Sequence, residues 1–101
     1  FEAVFDAGGC KFPLLVRSVA KGDRVECWGG GTKRVSRIMI DAKIPGMDRW
    51  RIPLLFSGDR LLWIAGLRRS RHLPVGDSTS KVLLVRFIPG RTLMNLLKGT
   101  Q

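Results

Sequence analysis

Two hydrophobic periods divide the chain into short segments. Alternating apolar and polar positions mark strands, and apolar residues at i, i+3, i+4 and i+7 mark a helix. Phe1 to Asp6 alternates imperfectly and predicts an edge strand, with a turn at Ala7-Gly8-Gly9-Cys10. Pro13 to Val19 predicts a strand with Leu15 on one face and Leu14 and Val16 on the other. Lys21-Gly22-Asp23 turns the chain into a further short strand, Arg24 to Trp28. Val35, Ile38, Met39 and Ala42 then share one face of a helix, expected over about residues 32–43 and stopped by Pro45. Gly46 to Arg51 is a polar connection. Pro53 to Phe56 and Arg60 to Ala65 are the strands of a hairpin turned at Ser57-Gly58-Asp59. Gly66 to Gly76 reads as an arginine-rich loop, and Lys81 to Ile88 as a strand ended by Pro89-Gly90. Arg91 to Lys98 reads as a short terminal helix. The expected class is α+β: several short, mostly antiparallel strands with at least one helix, the main one over about residues 32–43, packed on them. Residues 89–101 are expected to form a tail or short helix.

Composition adds a partner class to this outline. With 101 residues, 45% hydrophobic and 26% charged, the chain suits one folded domain and not a disordered polymer. Eighteen Lys and Arg face eight Asp and Glu, a net charge of +10. That balance points to a polyanion, nucleic acid first and an anionic membrane second. The charge is clustered. Residues 31–51 hold six basic and two acidic side chains, and residues 60–71 hold four basic and no acidic ones. Apolar runs such as Leu61-Leu62-Trp63-Ile64-Ala65 are far short of the ~20 residues of a membrane span. With no leader-like segment, the expected compartment is the cytoplasm, where Cys10 and Cys27 would be reduced. A start at Phe1, already strand-like, reads as a piece of a longer protein.

The candidate chemistry is binding. Gly29-Gly30-Gly31 is expected to lead directly into the helix, with Thr32 as N-cap and Lys33 and Arg34 beside its positive end, a place for a phosphate. Arg37, Arg49, Arg68, Arg69 and Arg71 are expected to extend this site into one cradle for an RNA backbone. The plainer alternative is a set of solvated surface charges. Trp28 and Trp50 are candidates for stacking on a base, although burial is the commoner fate of tryptophan. No catalytic set emerges: His72 has no nucleophile with a supporting acid. Thr32 precedes Lys33, so the glycines do not form a phosphate-binding Gly-Lys-Ser/Thr loop. Two distant cysteines and one histidine do not make a zinc site.

Four blocks occur in order: Lys21-Gly22-Asp23-Arg24; Gly31-Thr32-Lys33-Arg34-Val35; Ile44-Pro45 with Arg49 and Ile52-Pro53-Leu54; and Gly58-Asp59 through Leu62-Trp63-Ile64-Ala65-Gly66. Together they resemble the C-terminal domain of bacterial tRNA(Ile)-lysidine synthetases, over roughly residues 1–88. Lys21 stands where the family has proline, and Arg34 where it has lysine. The resemblance implies a small sandwich shared with part of the phenylalanyl-tRNA synthetase β chain. It implies a parent ligase that uses ATP and Mg2+ to join lysine to the wobble cytidine of isoleucine tRNA. That chemistry would lie in an N-terminal domain with a Ser-Gly-Gly-x-Asp-Ser loop, which this sequence does not contain. The domain itself would need no cofactor. Its implied partners are the acceptor stem of the tRNA and the catalytic domain. A homodimer is left open, as is a docking module whose basic surface is incidental.

Overall fold

The computed structural model describes residues 1–98 and has the expected α+β class. Its centre is a four-stranded sheet in the order β2-β5-β6-β7, from Leu15–Arg17 (β2), Leu54–Ser57 (β5), Arg60–Ile64 (β6) and Arg68–Arg69 (β7), all antiparallel. The β5–β6 hairpin turns at Gly58-Asp59, as its sequence predicts. Both hairpin strands are apolar on both faces because both faces are covered. Leu54, Phe56, Leu61 and Ile64 belong to one cluster, and Leu55, Leu62 and Trp63 to another. A slip in register lets Leu62 and Trp63 join the same cluster. Leu55 pairs with Trp63 but Phe56 pairs with Leu61, so Leu62 is an extra, bulged residue.

A second sheet pairs Glu2–Asp6 (β1) with Val82–Arg86 (β8), about 80 residues apart in sequence. It sends Ala3 and Phe5 inward against Leu55, Leu62 and Trp63. The opposite cluster is capped by Val35–Asp41 (α1), Arg91–Lys98 (α2) and the hairpin of Arg24–Glu26 (β3) with Thr32–Arg34 (β4). Val35, Ile38 and Met39 of α1 are buried, on the face the periodicity predicts. Leu93 and Leu97 of α2 are buried in the same cluster. The helix expected near 91–98 is therefore part of the core layer; residues 99–101, which end the expected tail, lie outside the described residues.

The start of the main helix differs from expectation. Gly29, Gly30 and Gly31 all have positive φ (83°, 98° and 76°) and close the β3–β4 hairpin. The Cys27 amide donates to the Gly31 carbonyl at 3.0 Å. Such backbone turns the chain back on itself. Thr32 to Arg34 thus run as strand, Thr32 is not an N-cap, and Arg34 occupies that position with no side-chain capping bond. Seven residues of helix remain, followed by Lys43 in the left-handed region (φ 59°) just before Pro45. Cys10 and Cys27 are free thiols, and no helix among the described residues is long and apolar enough to cross a membrane.

Candidate nucleic-acid interface

The β3–β4 hairpin presents the basic residues, and its base is held by Asp23. The Arg17 guanidinium bonds both Asp23 carboxylate oxygens at 2.8 and 2.9 Å, and the Ala20 amide donates to the same group at 2.7 Å. The bond from Arg17 holds the carboxyl below its ordinary pKa despite burial, and raises that of Arg17 in return. The Asp23 carbonyl accepts from the Val35 amide, fixing where α1 begins. Between these ties Val25 is fully buried and anchors β3.

Residues directly opposite in an antiparallel pair share a face. Val25 opposes Lys33 on the inner side, so Arg24 opposite Arg34, and Glu26 opposite Thr32, lie on the outer side. Arg24 and Arg34 are two like charges side by side; the Arg24 guanidinium donates to the Thr32 hydroxyl at 3.4 Å, and Arg34 has no side-chain partner among the described residues. The Arg71 amide donates to the Glu26 carbonyl at 3.0 Å, and this bond draws the Ser70–His72 loop alongside. Arg24, Thr32, Arg60 and Arg71 line a hollow of about 450 Å³ together with Glu26, Asp59 and His72. Glu26 faces the Arg71 guanidinium at 3.8 Å and touches the His72 imidazole. Four arginines against two carboxylates leave this face a net +2.

A second group lies toward α1. The Lys33 ammonium and the Arg37 guanidinium each sit 3.3 Å from the Asp41 carboxylate. Arg68 borders the same depression, with no ionic partner among the described residues. Three cations against Asp41 again leave +2. These pairs are solvent-exposed and worth little, about 0–1 kcal/mol each, so an arriving phosphate can compete for both cations.

The eight expected contact residues therefore do not form one cradle. Thr32, Arg34 and Arg71 share the outer face; Lys33, Arg37 and Arg68 share the α1 side. Arg49 is half-buried, with its Nε donating to the Ile44 carbonyl at 3.2 Å. Arg69 is a structural residue. All five of its N–H groups donate to carbonyls: to Val4 twice (3.2 and 2.8 Å), Ser70 (2.7 Å), His72 (3.0 Å) and Leu73 (3.0 Å). Its guanidinium lies 4.3 Å from the Phe5 ring centre. Burial lowers its pKa from the ordinary arginine value, and it remains charged. The cause is strand alternation: Arg68 pairs with Ile64 and Arg69 with Trp63, so the two neighbours point to opposite faces. Two outer-face arginines stand outside the eight expected contacts, Arg24 and Arg60. The alternation of Arg24 around inward Val25 is the available signal for the first; the second belongs to the basic segment 60–71, and only the folded chain brings it to this face.

Comparison with known proteins agrees with this fold. A family model described as "TilS substrate C-terminal domain" matches residues 14–85. A tRNA(Ile)-lysidine synthase of Geobacter sulfurreducens is 42% identical over 93 residues, 91% of this chain and 20% of that protein. Another, of Geobacillus kaustophilus, is 37% identical over 86 residues, 83% of this chain and 18% of that protein. The chain thus spans about one fifth of the length of these relatives. A solved structure, "Crystal structure of TILS C-terminal domain", superposes with a TM-score of 0.72 at 36% identity, covering 82% of this chain and 65% of the other. With the family model spanning most of its length, the fold shared with a solved member and the ordered blocks in its sequence, this chain belongs to the TilS C-terminal domain family.

Proposed function

We propose that this chain is the non-catalytic tRNA-binding domain of a tRNA(Ile)-lysidine synthase and grips the acceptor stem of isoleucine tRNA. The parent enzyme would attach lysine to the wobble cytidine in the cytoplasm, with ATP and Mg2+ used by its catalytic domain. No step of that chemistry is assigned to these residues: the glycines that could have cradled a phosphate close a β-hairpin instead. The observation that carries the reading is the Arg24–Arg34 pair. Like charges directly opposite on a ladder cost stability, and here no carboxylate lies between them. A phosphate bound between the two guanidiniums would reverse that cost and accept bidentate bonds. Arg60 and Arg71 on this face, and Lys33, Arg37 and Arg68 beside α1, would follow the backbone further, a mode suited to an A-form helix recognised by shape.

Filter binding of isoleucine tRNA tests this. The Arg24→Glu/Arg34→Glu variant is expected to lose at least tenfold in affinity and to flatten the slope of log K against log salt by about 0.9 per lost contact. Unchanged affinity and slope would refute the site. The competing reading is a docking or dimerisation module. It is favoured by Val4, Val82 and Leu84, exposed on the outer face of the β1–β8 sheet. It predicts association of the catalytic portion, or of a second copy, with no steep salt dependence.

A further inference from the structure

Trp50 is 62% exposed in a protein whose Trp63 is buried. The exposure is built in, because its backbone is tied on both sides. Its carbonyl accepts from the Ser18 hydroxyl at 2.8 Å, and the Ile52 amide closes the 3-10 turn onto the Arg49 carbonyl at 3.2 Å. The Arg51 guanidinium sits 5.4 Å from the indole centre. Facing them is the segment that joins β8 to α2, and the groove between holds about 490 Å³. Its walls offer the indole, the Phe87 ring, Ile88 (77% exposed) and two guanidiniums, Arg51 and Arg91. Among the described residues no carboxylate lines it, and Asp48, 3.7 Å from Arg51, lies outside its lining. Arg91 has no ionic partner among the described residues. Residues 87–93 lie beyond the segment that the family model matches.

A flat aromatic face, an aliphatic wall and two cations select a ligand that is itself flat, apolar on its faces and negatively charged at one end. We propose that this groove takes an unpaired nucleotide of the bound RNA, with its base stacked on Trp50 and its phosphate between Arg51 and Arg91. The inference rests on the RNA-binding reading above and deepens it. Bases inside a duplex have both faces covered and a terminal pair is held to its partner strand, so an unpaired nucleotide is the one that can bring a free base face and its own phosphate into the groove together. The groove is thus a second contact, for single-stranded RNA, beside the arginine faces that suit a duplex.

The test uses this chain and two RNAs, a blunt duplex and the same duplex with a short single-stranded extension. In a Trp28→Phe background, the extended RNA is expected to quench indole emission and the blunt one not. Trp50→Ala is expected to weaken the extended RNA about tenfold, the scale of one base–aromatic stack, and to leave the blunt duplex within about twofold. Trp50→Phe retains a ring and should retain most of the affinity. Arg51→Glu/Arg91→Glu should lower the salt slope for the extended RNA alone, by about 0.7 per contact. Equal weakening of both RNAs by Trp50→Ala, or no weakening of either, would overturn the groove and leave the RNA reading standing. Failure of the unaltered chain to bind either RNA at low salt would overturn both.

Discussion

Replacement of Arg69 separates charge that binds from charge that folds. Its five hydrogen bonds join β7 to β1 and to the loop after it, across up to 65 residues of sequence. In Arg69→Ala, water can reach the Val4 carbonyl, whose two bonds are exposed. The carbonyls of Ser70, His72 and Leu73 are partly buried and lose a partner each. At about 1 kcal/mol per bond, and about 0.5–1 kcal/mol for the guanidinium over Phe5, the loss is about 3–4 kcal/mol. For a domain of this size that lowers the melting temperature by roughly 15–25 °C. Arg69→Lys restores one charge and three donors without the planar fork, and should lose about half as much. Urea unfolding followed by circular dichroism gives the stability, and filter binding at a temperature where the variant is folded gives the RNA affinity. The expected result is a large loss of stability with the salt slope unchanged. A stability within about 0.5 kcal/mol of the unaltered chain, or a normal melting curve with a flattened slope, would refute the structural assignment.

Other outcomes follow from the same structure. Asp23→Asn removes the charged acceptor of Arg17 and should cost about 1–2 kcal/mol at neutral pH. Because the folded-state pKa of Asp23 is depressed, its contribution is present above the unfolded value and lost as pH falls through the folded one. The stability gap between the two proteins should therefore close below about pH 4, and a gap that persists in acid would contradict the pairing. Leu97→Ala should cost about 2–4 kcal/mol in urea unfolding, because Leu97 is fully buried in the main cluster; a loss under about 1 kcal/mol would mean α2 is dispensable. Gly30→Ala forces a side chain onto φ 98° and should cost about 1–2 kcal/mol, seen as a lower melting temperature; no change would mean the hairpin tip relaxes freely.

Local periodicity carried much of the architecture. Val35, Ile38 and Met39 are buried at helical spacing, and the β5–β6 hairpin turns where Gly58-Asp59 sits between two apolar runs. The glycine run was ambiguous for a physical reason. Glycine before threonine suits a helix start and a hairpin turn alike, and only the pairing of β4 with β3 decides between them. The short β7 was hidden for a similar reason: two arginines carry no apolar alternation, and their strand form comes from pairing with Trp63 and Ile64.

From the sequence alone came the class of fold, the buried face of α1, the central hairpin, the family, and a charge of +10 gathered in two segments. All of these depend on neighbours within a turn or a strand, or on residue types in order. Which positive side chains face water together was decided by tertiary structure. Lys33 and Arg34, like Arg68 and Arg69, are adjacent in sequence and sent to opposite faces once each pair lies in a strand. Arg69 then meets carbonyls up to 65 residues away, while Arg24 and Arg34 are left confronting each other. A charge is fixed by residue type, but its availability depends on acceptors that only the folded chain brings near.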